Sequence, residues 1–249
     1  MGVGKLVKLL RFVTKVWLAL IGFGGGSFSI KHEVNSLSRF CKGGPLIAFD
    51  VGANKGLYTR ALTKRFATLT EIHSFEPNKS LYLNELAHLR SSKVKINNYA
   101  LGKSEGEAIL FSVPGQSGLS SLTKRELWHH HLEASVQDTV ALSTLDKYCK
   151  SEGIINIDIL KIDVEGHELD VLTGARRMLD EKRIKLIQFE FGGCNVDNRT
   201  YFRDFWNILK RKYGFDIYRI TPFGLLKIKD YSELDEIFTT TNYIAALPE

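Results

Sequence analysis

The chain has 249 residues, 44% of them hydrophobic and 25% charged, a balance that supports one large folded core and excludes an extensively disordered polypeptide. Its formal net charge of +6 suits anionic partners, or equally a solvated basic surface. The three cysteines, Cys41, Cys149 and Cys194, are far apart and form no CxxC pair, which excludes a disulfide scaffold or metal finger and fits reduced thiols in a cytoplasmic protein.

Residues 1–21 place Lys5, Lys8, Arg11 and Lys15 three or four apart, with Leu6, Leu9, Leu10, Val13, Val16, Trp17 and Leu20 filling most of the remaining wheel. That pattern predicts a basic amphipathic helix. The uncharged run from Val16 to Ile30 contains four glycines and falls short of the about 20 apolar residues of a membrane span. It also offers a poor signal-cleavage site. The helix is expected to dock on its own domain. The alternative is peripheral contact with an anionic membrane, at its inner face. Gly24-Gly25-Gly26-Ser27 reads as a flexible joint. The division expected is an N-terminal segment, 1–44, and a single folded body, 45–249.

From Pro45 onward, apolar β-rich runs alternate with helical patterns, which predicts an α/β fold with one doubly wound, mostly parallel sheet. Strand one is Leu46 to Val51, followed by a helix from Leu57 to Phe66. Strand two runs from Glu71 to Phe75, and Asn78 caps a helix reaching Leu89. Strand three covers Val94 to Tyr99. The section from Ser104 to Tyr148 is irregular, with a hairpin near Glu107 to Val113 and a loop at Ser117-Gly-Leu-Ser-Ser121. Strand four is Ile157 to Ile162, with a helix from Glu168 to Leu179. Strand five is Lys185 to Phe189, and an amphipathic segment spans Tyr201 to Tyr213. Asp216 to Ile220, Leu225 to Ile228 and Tyr243 to Ala246 supply the last strands.

Ligands of open α/β sheets bind beyond the carboxyl ends of the strands. Candidate residues cluster there: Asp50, Gly52, Asn54 and Gly56 after strand one, Glu76 and Pro77 after strand two, Leu101 after strand three, Asp163 and Glu165 after strand four, and Glu190 after strand five. Gly52 permits close backbone approach, and the amides at the next helix start suit a carboxylate or phosphate. Glu76 is placed to accept both ribose hydroxyls of a nucleoside. The loop Gly52-Ala-Asn-Lys-Gly56 is neither a GxGxxG nor a GxxxxGK[ST] sequence. Asp50 directly before the turn repels a pyrophosphate but suits the cationic amino group of a methionine tail, so the cofactor expected is S-adenosylmethionine. Ser120 and Ser121 are candidates for the adenine pocket. His129-His130-His131 has no acidic or cysteine partner at a familiar spacing, and no metal is expected.

The segments Asp50-Val-Gly-Ala-Asn-Lys-Gly56, Phe75-Glu-Pro77, Asn98-Tyr-Ala-Leu-Gly102, Ser120-Ser-Leu122, Leu160-Lys-Ile-Asp-Val-Glu-Gly-His-Glu168 and Val171-Leu-Thr-Gly-Ala175 together resemble the FkbM family of S-adenosylmethionine-dependent methyltransferases, over residues 46 to about 191. The resemblance implies a Rossmann-like, seven-stranded sheet with a reversed last strand, and O-methylation of a small or glycosidic acceptor. Methyl transfer is an in-line displacement, so most catalysis is positioning. A sugar hydroxyl is a poor nucleophile and benefits from a base. His167 is the first candidate and Asp163 the alternative. Lys161 shares a face with Asp163 and can orient it, while Glu165 and Glu190 can bind acceptor hydroxyls. Glu168 complements a helix dipole. Amino-directed nucleic-acid methyltransferases carry an Asn/Asp-Pro-Pro-aromatic motif after strand four, where this chain has Asp163-Val-Glu-Gly. A nucleic-acid partner is therefore not expected. The competing readings are a nucleic-acid methyltransferase and a non-catalytic membrane-associated protein that retains the fold.

Overall fold

The structure, a computed structural model, describes residues 3–24, 29–41 and 43–248; Gly25, Gly26 and Ser27 of the expected joint lie outside the described residues. Twelve strands are present among them: β1 (Leu46–Val51), β2 (Leu69–Phe75), β3 (Val94–Asn97), β4 (Ala100–Leu101), β5 (Gly106–Val113), β6 (Gln116–Ser121), β7 (Val136–Ser143), β8 (Ile157–Ile162), β9 (Ile184–Phe191), β10 (Asp216–Thr221), β11 (Gly224–Ile228) and β12 (Thr241–Ala246). Eight form one sheet in the order β11-β10-β12-β9-β8-β1-β2-β3. From β3 to β9 all neighbours are parallel, and β12 is antiparallel to both β9 and β10. The reversed strand is thus present. The sheet has eight strands rather than seven, because the turn Thr221-Pro-Phe-Gly224 folds β11 back on β10 as a hairpin.

Parallel strands buried on both faces are mostly apolar, and in β8 all six residues, Ile157 to Ile162, are buried, Asp158 and Lys161 being its two charged ones. One core cluster, including Phe49, Leu160, Phe189 and Tyr243, lies on one face of the sheet, and a second, including Ala48, Leu62, Ile72 and Ile159, lies on the other. Trp206 joins the first, so it is a core residue. All three cysteines are free thiols.

Three expectations require correction. Ser117–Ser121 is not a loop but the end of β6, part of a separate four-stranded sheet ordered β4-β7-β5-β6. The helix expected over 168–179 is two short ones, Glu168–Thr173 and Arg176–Asp180. It breaks at Gly174, where a Cβ would lie 2.0 Å from the Gly102 carbonyl oxygen. The third correction concerns the N-terminal helix α1 (Val3–Leu20), which buries no residue and so does not dock on the domain. Helix α2 (Ile30–Leu37) does: capped by Ser29, it buries Glu33, Val34 and Leu37 beside α3 (Leu57–Arg65), which follows β1.

Candidate active site

Strand register builds the floor of the site. Asp50 of β1 aligns with Ser74 of β2 and with Lys161 of β8, and Lys161 aligns with Gln188 of β9. These four residues form a polar row across the sheet, and α3 and α2 cover it. The Thr59 hydroxyl donates to Asp50 Oδ2 at 2.6 Å and lies 2.7 Å from Ser74 Oγ. The Tyr58 hydroxyl donates to Gln188 Oε1, and Gln188 Nε2 donates to Glu33 Oε2, both at 2.6 Å. Burial pushes the Asp50 carboxyl up to about 6, with Thr59 and Lys161 opposing. Burial also works against the Lys161 charge, but the carboxylates of Asp163, Glu33 and Glu190 outweigh it and hold its pKa above the ordinary lysine value. Lys161 Nζ donates to Asp163 Oδ2 at 3.0 Å.

The turn after β1 is tight. Gly52 has φ +85°, and a Cβ there would lie 1.8 Å from the Asp163 carbonyl oxygen; only glycine fits. The amides of Gly52 and Ala53 donate to Phe75 O at 3.0 and 2.9 Å, and that of Gly56 to Ala53 O at 2.7 Å. The amides of Asn54 and Asn78 donate to Glu76 Oε2 and Oε1, each at 2.8 Å. The amides of Gly52, Ala53, Asn54 and Gly56 are thus bonded within the protein. Gly56 serves packing instead, since its left-handed φ of +70° brings a Cβ position within 2.4 Å of Leu89. Burial raises the Glu76 carboxyl to about 7, its two amide bonds opposing.

The turn after β8 carries the third group. Glu165 has φ +54°, and its carboxylate receives Arg125 Nη1 at 2.5 Å. Burial and the neighbouring Asp163 charge raise its carboxyl to about 8, with Arg125 opposing. His167 Nδ1 lies 2.9 Å from Asp170 Oδ2, and its Nε2 lies 3.0 Å from Thr123 Oγ1. The His167 bond holds the Asp170 carboxyl below its ordinary value. Glu168 is wholly buried. It accepts the Val164 and Gly166 amides, both at 3.1 Å, and so ties the turn rather than merely facing a helix dipole.

These elements enclose a cleft of about 430 Å³, within the roughly 300–1,000 Å³ range of small-molecule sites. Asp50, Gly52, Asn54, Glu76, Pro77, Leu101, Ser120, Ser121, Lys161, Asp163, Glu165 and His167 all line it. Gly56 and Glu190 do not: Glu190 stands behind Glu165, the two carboxylates and the Cys194 thiol lying within 4.8 Å of one another. Trp128 and the histidine run also lie off the wall. Asn54 Oδ1 and Ser120 Oγ are buried with no hydrogen-bond partner among the described residues. Four wall or support residues escaped the sequence: Glu33, Tyr58, Arg125 and Thr123. Each belongs to a segment without a motif.

The sequence matches the Methyltransferase FkbM domain over residues 50–217. The chain belongs to that family. Among curated proteins it is similar to Methyltransferase sdnD of Sordaria araneosa, 28% identical over 68% of this chain and 73% of that protein. It is also similar to Hexuronic acid methyltransferase AglP of Haloferax volcanii, 24% identical over 59% of this chain and 56% of that protein. The crystal structure of Methyltransferase FkbM from Methylobacillus flagellatus KT aligns with a TM-score of 0.47 at 15% identity, over 80% of this chain and 43% of that one. The chain thus spans little more than half the length of AglP and less than half of that crystallised chain.

Proposed function

We propose that the protein is an S-adenosylmethionine-dependent methyltransferase acting on a hydroxyl of a sugar, glycan or other small acceptor. The observation that carries this reading is the polarity of the cleft. The amides of Gly52, Ala53, Asn54 and Gly56 are already bonded within the protein, and carboxylates of Asp50, Glu76 and Asp163 line the wall. A pyrophosphate is repelled there, whereas a cationic amino acid joined to a nucleoside is attracted.

In this reading Glu76 takes the ribose hydroxyls, Asp50 and Asp163 face the cationic end, and Pro77, Leu101 and Ser120 border the base. Bound S-adenosylmethionine supplies an electrophilic methyl group on a sulfonium. The chain's own contribution is orientation and proton removal. Asp170, kept ionised, accepts the His167 Nδ1 proton and so leaves the lone pair on Nε2. The Thr123 hydroxyl occupies that lone pair and marks where an acceptor hydroxyl would bind. Lys161 stays charged and orients Asp163, while Glu165 and Arg125 offer paired acceptors and donors to a sugar.

The similarity to AglP makes sugar acids the first acceptors to try. Incubation with S-adenosylmethionine tritiated on the methyl group and a panel of sugars, sugar acids and glycan extracts should give an alkali-stable product, the mark of a methyl ether. Alkali-labile label would indicate a carboxyl ester, and label in nucleic acid would support the competing enzyme class.

A further inference from the structure

Helix α1 is exposed from Val3 to Trp17. Phe12 and Trp17 are 66% and 65% exposed, and Leu9 and Leu10 about half. At 3.6 residues per turn, Lys5, Lys8, Arg11 and Lys15 share one side, and Leu6, Leu9, Leu10, Val13, Trp17 and Leu20 share the other. No acidic residue occurs between Val3 and Gly24. The helix is nevertheless not a loose tether, because its end is clamped to the sheet. Phe23 is 3% exposed beneath the Arg219 guanidinium, 3.6 Å from its ring centroid, and Arg219 is paired with Asp235 at 2.5 Å. A Cβ on Gly22 would lie 2.5 Å from the Ile220 carbonyl oxygen. The neighbouring hairpin between β10 and β11 carries Phe223 at its tip, 80% exposed.

We propose that α1 is an interfacial anchor that lies flat on a bilayer rich in anionic lipid, its leucines and Trp17 among the acyl chains and its four bases among the headgroups. Other occupants fit less well. The domain itself leaves the apolar face uncovered, and no described helix is long and apolar enough to cross a membrane. A second copy of α1 packed on the apolar face would leave the four bases outside the contact with no anionic partner, because α1 carries no acid. This inference is independent of the methyltransferase reading.

The test uses the full chain with vesicles of phosphatidylcholine alone or with about a third phosphatidylserine. Binding to the anionic vesicles only, weakened by salt, with a blue shift of tryptophan emission that Trp17→Phe abolishes, is the expected result. Attraction of about fivefold per basic residue predicts that Lys8→Glu with Arg11→Glu weakens binding at least 25-fold. The circular dichroism and melting temperature of that variant should match the parent, because α1 buries nothing. Equal binding to neutral vesicles, no binding, or binding unaffected by the charge reversal would overturn the proposal. So would self-association that Leu10→Asn abolishes.

Discussion

Replacing Glu76 by glutamine separates ligand binding from stability, and the geometry says by how much. At pH 8 the carboxylate is ionised, although burial has raised its pKa from 4.5 to about 7; at about 1.36 kcal/mol per pH unit that ionised form costs the fold about 3 kcal/mol. Glutamine removes this cost. The two amide bonds, from Asn54 and Asn78, already oppose burial within that raised value, so the melting temperature should rise at pH 8, by up to about 10 °C in a chain of this size. Ribose recognition gains no such relief. Loss of one hydroxyl-to-carboxylate bond at roughly 1.5–3 kcal/mol should weaken S-adenosylmethionine binding about 10- to 150-fold. Calorimetric titration beside a thermal melt reads both quantities. Unchanged affinity, or a collapse in melting temperature with the affinity of the remaining folded protein intact, would refute the assignment.

Further outcomes follow from the same geometry. Gly52→Ala must place a Cβ 1.8 Å from Asp163 O in a left-handed conformation that alone costs about 1–2 kcal/mol, so both melting temperature and cofactor affinity should fall, as the same two measurements would show. His167→Asn should lower turnover about 10²- to 10⁴-fold with cofactor affinity within about twofold; normal turnover would remove it as the base. Asp50 and Glu76 are raised to about 6 and about 7. Their stabilising contribution is therefore complete below the unfolded values and is lost as pH rises through 6 to 7. The unliganded protein should melt lower at pH 8 than at pH 5, with a smaller fall in Glu76→Gln. Cofactor affinity should run the other way, tightening up to tenfold per pH unit until about pH 7, because only the ionised Glu76 accepts two hydroxyls.

The central sheet was legible because parallel strands buried on both faces leave mostly apolar runs. Leu46 to Val51 and Ile157 to Ile162 coincide with β1 and β8. The acidic and glycine residues of the cleft were legible because they end those strands. The second sheet was not: four of the six residues of Gln116–Ser121 are glycine or serine, and its pairing to β5 supplies the order that its composition lacks. Position, too, was invisible where distant segments meet. Glu33 reaches Gln188 across 155 residues of chain, and Arg125 meets Glu165 through a loop with no motif. Glu190 sat correctly at a strand end and shares the face of Gln188, yet it stands beside Glu165 and Cys194 rather than on the cleft wall. The N-terminal helix was legible as a helix, but its pattern favoured docking on the domain, and only the exposed side chains show that it does not dock there.

The most direct test is a single turnover. Protein preloaded with S-adenosylmethionine labelled on its methyl group is mixed with the glycan and sugar-acid pool, and labelled methyl ether is counted against S-adenosylhomocysteine formed. Equal amounts of the two, sharply reduced in His167→Asn and in Glu76→Gln, are expected. S-adenosylmethionine that fails to bind, or that binds and transfers its methyl to no hydroxyl in any pool, would contradict a cleft built for methyl transfer.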